Sequence, residues 1–348
     1  MEEKDQKFTN LDQIGEFGLI DILTKDFESN NKSTTVLSIG DDAAVIDNSK
    51  EKTLISTDML VEGVHFDLSY FPLKHLGYKA VISSISDIYA MNGICNQITV
   101  SIAVSNRFKL ESINELYSGI KVACKNYKVD LIGGDTTSSK KGLIISVTAL
   151  GISHKNGFVA RSGAEDNDLI VVSGNLGGAY LGLQVLEREK QVFLVNPNSK
   201  PDLSKYKNLV QRQLRPEARI DIIEFLHNSN VKPTSMIDIS DGLSSEIIHI
   251  CKSSKKGCNI YEDKIPISNV TTQTCNEFNL ESTTVALSGG EDYELLFTIK
   301  QEDLKKIEKN PDLSIIGHIN SKKEMNLVTK TRKNIAIKSM GWKSFWKL

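Results

Sequence analysis

The residues of this sequence most suited to chemistry are aspartates that stand beside Gly, Ser or Thr at the ends of apolar segments. They occur in "SIGDDAAVI" (38–46), "STDML" (56–60), "SDIYAMNG" (86–93), "GGDTTSS" (133–139) and "ISDGLSSE" (239–246). A single such Asp is as well explained by a helix cap or an Asx-turn. Their repetition favours a shared site, because the ends of strands in α/β folds converge on one crevice.

Carboxylates gathered in one crevice repel one another unless cations neutralise them. Asp is a short, hard ligand that suits Mg²⁺, an ion that also binds phosphate oxygens. Backbone N–H groups beside the glycines of "GGD" and "SGGED", and at the start of "DGLSSEIIHI", can bind phosphate. The sequence contains no GxxxxGK[ST], no kinase motifs, and no His/Cys cluster with transition-metal spacing. The pattern therefore predicts a nucleoside triphosphate bound through several Mg²⁺ ions.

The bulk properties predict a soluble two-domain protein and exclude several function classes. The 348 residues carry a net charge of -2 and show no basic stripe, so no nucleic-acid surface is expected. No apolar stretch approaches the roughly 18 residues that span a bilayer, and "MEEKDQKF" lacks the apolar core of a signal peptide. The five cysteines form no CxxC pair, which indicates reduced thiols and a cytoplasmic location.

Hydrophobic periodicity predicts alternating helices and strands in two α/β halves. In the first half it predicts helices over 11–28, 78–93 and 110–127, and strands over 34–40, 53–60, 97–104 and 143–153. A Gly-, Asn- and Asp-rich break at 154–168 suggests domains 1–153 and 154–348. The second half shows strands over 169–174 and 235–240, helices within 175–189, 215–230 and 241–254, an irregular insertion over 188–208, and strand–turn–strand over 284–300.

Taken together, these motifs resemble the thiamine-monophosphate kinase family, which belongs to the superfamily of aminoimidazole-ribonucleotide synthetase and selenophosphate synthetase. The resemblance rests on the order of "IGDDAAV" (39–45), "ISTDMLVEGVHF" (55–66), "GYKAVISSISDIYAMNG" (77–93), "LIGGDTTSS" (131–139), "LRPEARI" (214–220), "IDISDGLSSE" (237–246) and "LSGGEDYELLF" (287–297). It implies a two-domain α/β (α+β) fold, with an N-terminal sheet domain that binds ATP and Mg²⁺ and pairs into a homodimer, and a C-terminal α/β sandwich. It also implies phosphoryl transfer from ATP to thiamine monophosphate.

The resemblance further implies roles for individual residues. The metal ligands would be Asp42, Ser56, Thr57 (through its backbone oxygen), Asp58, Asp87, Asp135, Asp238 and Asp241. Among these, Asp42, Asp135 and Asp241 are expected to be catalytic. The ATP contacts would be Gly134, Asp135, Arg161 and Ser240, and the substrate contacts His65, Glu291 and a C-terminal aromatic residue. The ending "KSMGWKSFWKL" departs from the family pattern, so this aromatic is expected at Trp342, with Trp346 as the alternative.

Other members of the superfamily and a non-catalytic role are the alternatives. A selenophosphate synthetase would need a reactive Cys in a Gly-rich N-terminal stretch, whereas the first cysteine here is Cys95. An aminoimidazole-ribonucleotide synthetase lacks the form "STDMLVEGVHF". A nucleotide-binding regulator would retain the same acidic residues without turning substrate over, and an assay of ADP release separates it from a kinase.

Overall fold

The computed structural model describes residues 35–37, 40–47, 52–198 and 201–338. The helix predicted over 11–28 and the aromatic residues Trp342 and Trp346 lie outside the described residues. The α/β class predicted from the sequence is confirmed, because each half consists of a mixed sheet with helices. None of the described helices is long and apolar enough to cross a membrane.

The first half is built on a six-stranded sheet with the order β1-β2-β3-β6-β4-β5 within the described residues. Among the described strands of this sheet, only β4 and β5 pair in parallel; the other neighbours are antiparallel. Alternate residues of β6 are buried, as expected for a sheet that packs on helices through one face. The strands are β1 (Thr35–Leu37), β2 (Ala44–Asp47), β3 (Lys52–Val61), β4 (Gly93–Val104), β5 (Asp130–Ser138) and β6 (Leu143–Ser153).

Two helices, α1 (Leu73–Ala90) and α2 (Leu110–Tyr127), pack together beside this sheet. They approach closely because glycine lies at the crossing point on each. A Cβ on Gly77 would stand 2.0 Å from the Leu116 carbonyl oxygen, and one on Gly119 would stand 1.8 Å from that of Lys74. Helix α2 spans the residues predicted from its periodicity, and α1 begins five residues before the predicted start.

The second half is built on a mixed sheet of order β13-β12-β9-β11-β7-β10-β8. Its strands are β7 (Leu169–Ser173), β8 (Ser235–Ile239), β9 (Gly257–Tyr261), β10 (Glu294–Ile299), β11 (Leu313–Asn320), β12 (Met325–Val328) and β13 (Asn334–Ala336). Its helices are α3 (Gly178–Val195), α4 (Lys207–Leu214), α5 (Ile220–Asn228), α6 (Leu243–Ser254), α7 (Asn269–Glu277), α8 (Ser282–Ser288) and α9 (Leu304–Ile307).

Two expectations for the second half are wrong. The segment 284–288, expected as the first strand of the strand–turn–strand over 284–300, belongs to helix α8. The Glu281 carboxylate caps this helix by accepting a hydrogen bond from the Thr284 N–H at 2.6 Å, and Val285, Ala286 and Leu287 are buried. The segment 188–208 is not wholly irregular either, because α3 continues to Val195 and α4 begins at Lys207.

Helix α1 connects the two halves, because it packs against β8 of the second sheet as well as against β3 and β6 of the first. One hydrophobic cluster includes Ile82 and Ile85 of α1 together with Met236 of β8 and Leu295 of β10. The polar residues at the end of α1 are therefore held against the end of β8, and the candidate site lies there.

Candidate metal- and phosphate-binding site

Three carboxylates from separate parts of the chain converge where the two halves meet. Asp42 lies in the turn before β2, Asp87 in the last turn of α1, and Asp238 in β8. One oxygen from each of them lies within 4.8 Å of the others. We call Asp42, Asp87 and Asp238 the carboxylate cluster. The shared crevice expected from the repeated motifs is thus formed by these three residues.

Hydroxyl groups and one more aspartate surround the carboxylate cluster. The Ser86 Oγ donates to Asp238 Oδ2 at 2.6 Å, and the Ser56 Oγ donates to Asp87. On β3, Asp58 lies two residues after Ser56 and so on the same face of the sheet. Its Oδ2 is buried and has no hydrogen-bond partner among the described residues. A buried carboxylate oxygen without a donor is suited to binding a cation.

The electrostatics of the carboxylate cluster show how strongly its charges oppose one another. Burial, followed by the charge of Asp42, raises the pKa of Asp238 to about 7. Burial and the charges of Asp58 and Asp238 raise the pKa of Asp87 well above its ordinary value. Burial also raises the pKa of Asp58, with Asp42 contributing. A hard divalent cation would relieve this repulsion, and a donor set made only of oxygen atoms fits Mg²⁺.

Among the described residues, Arg161 is a basic residue that contacts the carboxylate cluster. Its Nε and Nη2 donate to the two oxygens of Asp42 at 3.0 and 2.7 Å, which is the bidentate geometry of a guanidinium–carboxylate pair. Its backbone N–H donates to Asp41 Oδ2 at 2.9 Å. The adjacent aspartates therefore differ in role: Asp41 fixes the backbone of the segment between the sheets, and Asp42 faces the other acidic residues.

Asp135 and Gly134 lie on β5, at the edge of the first sheet, and Asp135 does not belong to the carboxylate cluster. They line a cavity of about 460 Å³ together with Tyr117, Val100 and Leu131. A Cβ on Gly134 would stand 1.9 Å from the Val100 carbonyl oxygen, so β4 and β5 can pair at this register only with glycine there. Every residue of β5 is exposed.

Ser240 and Asp241 lie between β8 and α6. The Ser240 carbonyl accepts a hydrogen bond from the Glu291 N–H at 2.7 Å, and the Asp241 N–H donates to Glu246 Oε1 at 2.9 Å. Thr57 is exposed on the opposite face of β3 from Ser56, and its hydroxyl donates to the Val147 carbonyl at 3.2 Å. The side chain of Thr57 therefore points away from the carboxylate cluster.

The two described candidates for substrate binding are both fixed by hydrogen bonds. His65 Nδ1 accepts a hydrogen bond from the Val61 N–H at 3.0 Å. Glu291 adopts φ 65°, an unusual conformation for a residue with a side chain, in the turn before β10. Its Oε2 contacts Lys79 Nζ at 2.8 Å and accepts a hydrogen bond from Gln213 Nε2 at 2.7 Å. Trp342 lies outside the described residues.

Of the three acidic residues in "GGEDYEL" (289–295), only Glu291 is exposed enough to bind a ligand. Asp292 is buried, and its oxygens accept hydrogen bonds from the Gly177 N–H at 2.6 Å and the Ala179 N–H at 3.2 Å at the start of α3. Arg212 Nη2 donates to the same carboxylate at 3.0 Å. Glu294 accepts a hydrogen bond from the Ser173 Oγ at 2.6 Å. Asp292 and Glu294 are structural, whereas Glu291 is partly exposed.

Three residues of this region were not predicted from the sequence: Lys79, Ser86 and Tyr117. A signal was present for Lys79, since a lysine between Tyr78 and Ala80 interrupts the apolar face of a helix. Ser86 precedes Asp87 within a quoted motif and offered a weaker signal. Tyr117 had none, because an aromatic residue on an amphipathic helix is usually part of a core.

Comparisons with known proteins match nearly the whole chain. The family model for the N-terminal domain of AIR synthase related proteins matches residues 40–153, and the model for the C-terminal domain matches 165–330. Thiamine-monophosphate kinase of Aquifex aeolicus is 35% identical over 96% of this chain and 99% of its own length. The enzyme of that name from Bacillus subtilis is 32% identical over 95% and 100%. A solved structure of AaThiL complexed with AMPPCP and TMP is 33% identical and superimposes with a TM-score of 0.82, covering 97% of this chain and 99% of that one.

Proposed function

Because the chain belongs to the thiamine-monophosphate kinase family of AIR synthase related proteins, we propose that it transfers the γ-phosphoryl group of ATP to thiamine monophosphate. The products are ADP and thiamine diphosphate. The observation that carries the proposal is the convergence of Asp42, Asp87 and Asp238, contributed by both halves of the chain. The complex of AaThiL with AMPPCP and TMP supports the same pair of substrates.

The carboxylate cluster and its neighbours would hold Mg²⁺. Asp42 and Asp238 are buried and Asp87 and Asp58 are half-buried, and the buried Asp58 Oδ2 is without a hydrogen-bond partner among the described residues. Ser56, Thr57 (through its backbone oxygen), Asp135 and Asp241 complete the proposed set of ligands. When bound, Mg²⁺ supplies positive charge that offsets the negative charge of the two phosphate-bearing substrates. Since Asp135 is on β5, its participation would extend the site from the cluster to the sheet edge.

ATP would lie between the cavity on β5 and the carboxylate cluster. The exposed backbone of Gly133 and Gly134 permits close approach of a ligand, and the Tyr117 ring offers an aromatic surface to a base. Arg161 would bind phosphate, and its two-donor contact with Asp42 supports this because the same guanidinium geometry fits two phosphate oxygens. Ser240 contributes at the other side, where α6 begins.

Thiamine monophosphate would bind through Glu291, His65 and the C-terminal aromatic residue Trp342. The thiazolium ring of thiamine carries a fixed positive charge, which a carboxylate at Glu291 attracts. Lys79 and Gln213 both contact Oε2 of Glu291, and neither of these contacts involves Oε1. His65 is close in sequence to Asp58, which supports a substrate contact near the ionic part of the site.

The reaction requires no catalytic nucleophile from the protein. A phosphate oxygen of thiamine monophosphate attacks the γ-phosphorus of ATP in line, a new P–O–P bond forms, and the bond to the β–γ bridging oxygen breaks as ADP leaves. The attacking phosphate has its second pKa near ~6 and is largely ionised at neutral pH, so no general base is needed. The chain's own residues orient the two anions, and such positioning can contribute a large part of the rate.

The first half would also form a homodimer. Strand β5 is an edge strand in which every residue is exposed, and Leu131 and Ile132 are 43% and 60% exposed. Exposed apolar edge strands tend to associate unless something covers them. We propose that a second copy of this chain covers β5. We also propose that the boundary between the two domains lies between residues 153 and 154. Ile132→Glu should convert a dimer into a monomer in sedimentation velocity, and a monomeric wild-type protein would contradict this proposal.

An assay of ADP release with different phosphate acceptors tests the proposed reaction. ADP should form with thiamine monophosphate plus ATP and Mg²⁺, and not when adenosine monophosphate, selenide or phosphoribosyl-formylglycinamidine replaces the thiamine compound. Asp42→Asn should retain the fold, as judged by circular dichroism, and lower kcat by at least ~100-fold. The exposed Glu308→Gln is the control and should retain full activity. A protein that binds ATP without releasing ADP with thiamine monophosphate would instead be a regulator.

A further inference from the structure

Lys79 is a fully buried lysine that links the two halves of the chain. It lies in α1 of the first half, and its side chain is 0% exposed. Its Nζ donates to the Gln213 carbonyl oxygen at 3.1 Å and contacts Glu291 Oε2 at 2.8 Å, and both residues belong to the second half. The Nζ also lies 5.4 Å from the centre of the Phe71 ring. A buried lysine with these contacts joins the halves at one defined point.

Glu291 is restrained from three directions. Its backbone is held at φ 65° and its N–H donates to the Ser240 carbonyl at 2.7 Å. Gln213 Nε2 donates to Oε2 at 2.7 Å, and Lys79 Nζ lies 2.8 Å from the same oxygen. Oε1 takes part in neither contact, and the side chain remains 29% exposed. The carboxylate is therefore fixed through one oxygen, and the partial exposure of the side chain leaves room for a further partner.

A purely structural role accounts poorly for this arrangement. Apolar side chains would join the halves at least as well, since a buried ion pair is often no more stabilising than well-packed hydrophobic residues. The contacts of α1 with the second sheet already include Ile82 and Ile85 in the hydrophobic cluster. What the ion pair adds is a fixed position for a carboxylate in a strained turn.

We propose that Lys79 is a positioning residue for thiamine monophosphate. It holds Glu291 so that Oε1 faces the cationic ring of the substrate, and it makes this position depend on the docking of the first half against the second. The inference rests on the proposed function, because it assigns Lys79 an effect on the substrate bound by Glu291. It predicts that replacing Lys79 changes the KM for thiamine monophosphate and not the KM for ATP.

Steady-state kinetics of Lys79→Met, Glu291→Gln and the double variant test the inference. Lys79→Met keeps the length of the side chain and leaves Glu291 in contact with water, so the protein should fold. We expect the KM for thiamine monophosphate to rise about tenfold or more, as for the loss of one charge-assisted contact, with the KM for ATP within about twofold of wild type. The double variant should be no worse than Glu291→Gln alone, because Lys79 acts through Glu291.

A matched control separates positioning from docking. His227 Nε2 lies 2.9 Å from Asn92 Oδ1, which is another contact between the halves and does not involve Glu291. His227→Gln should leave both KM values unchanged. The inference is overturned if Lys79→Met changes both KM values equally, changes neither, or is additive with Glu291→Gln, or if His227→Gln reproduces its effect. A wild-type protein that releases no ADP with thiamine monophosphate overturns the proposed function, and the inference with it.

Discussion

Asp238→Asn should stabilise the metal-free protein although it removes a proposed metal ligand. The pKa of Asp238 is raised from its ordinary 3.8 to about 7 because the carboxyl is buried and faces Asp42. A raised pKa in the folded state means that the stabilising contribution of this group is fully present below pH 3.8 and is lost as the pH rises to 7. At pH 8 the folded protein therefore holds an ionised carboxylate in an unfavourable place, and the asparagine variant does not.

The size of the effect follows from the shift in pKa. Three units correspond to about 4 kcal/mol at pH 8 and to less than about 2 kcal/mol at pH 5. Asp42 and Asp58 share part of this repulsion, so we expect a gain of about 2 to 4 kcal/mol. For a chain of this length, that gain corresponds to a rise of about 3 to 5 °C in the melting temperature. The Ser86 hydroxyl, 2.6 Å from Asp238 Oδ2, can still donate to an asparagine oxygen.

Thermal unfolding in EDTA at pH 8 and pH 5 measures the gain, and titration with Mg²⁺ measures its reversal. Wild-type protein should be stabilised by Mg²⁺ more than the variant is, because the variant lacks one carboxylate of the cluster. Glu308→Gln removes one negative charge from an exposed position and should change neither value. The reasoning is refuted if Asp238→Asn is less stable than wild type in EDTA, or if its gain is no smaller at pH 5 than at pH 8.

Three further predictions concern other parts of the fold. Gly134→Ala should lower the melting temperature, because its Cβ would meet the Val100 carbonyl oxygen at 1.9 Å. Gly133→Ala, whose nearest contact is 3.9 Å away, is the control and should leave the melting temperature unchanged. Burial and the neighbouring His154 lower the pKa of His227 to about 4. The free energy of unfolding should therefore fall by about 1 kcal/mol as the pH drops from 6.5 to 4, because the unfolded chain gains the proton first. Urea unfolding measures this loss, and His227→Gln should abolish it. Asp292→Ala should lower the free energy of unfolding by about 1 to 3 kcal/mol, measured by urea unfolding, because it removes the acceptor for the first N–H groups of α3. The folded fraction of this variant should have the wild-type KM for ATP and for thiamine monophosphate. A change in either KM would assign Asp292 to the site.

The sequence was sufficient to predict the elements whose periodicity agrees with their environment. Helix α2 and strand β6 have the predicted bounds, because α2 has one apolar and one polar face and β6 is a run rich in β-branched and other apolar residues. Residues 284–288 of helix α8 were mistaken for a strand, and Thr284 and Val285 do favour β structure locally. The Glu281 cap and burial against α6 outweigh that preference, and neither can be recognised from a short apolar run.

For the candidate site, the sequence indicated which residues carry charge but not which of them meet. Six aspartates were expected together as metal ligands, and the structure brings three of them, Asp42, Asp87 and Asp238, within 4.8 Å of one another because α1 packs on β8. Asp292 shows the converse: it stands next to Glu291 in the same acidic motif, yet its carboxylate caps a helix. Neighbours in a tight turn point in different directions, so sequence adjacency alone could not separate their roles.

In the pair formed by Arg161 and Asp42, the arginine side chain is a counter-ion that the protein itself supplies to the carboxylate. The Arg161 guanidinium group neutralises part of the negative charge of the carboxylate cluster before a ligand binds. A nucleotide that enters the site competes with Asp42 for this guanidinium group. When phosphate draws the arginine away, a carboxylate is left exposed to solvent ions; when an ion binds the carboxylate, the arginine is released for phosphate. We therefore expect nucleotide and divalent ion to strengthen each other's binding by the same factor, as thermodynamic reciprocity requires.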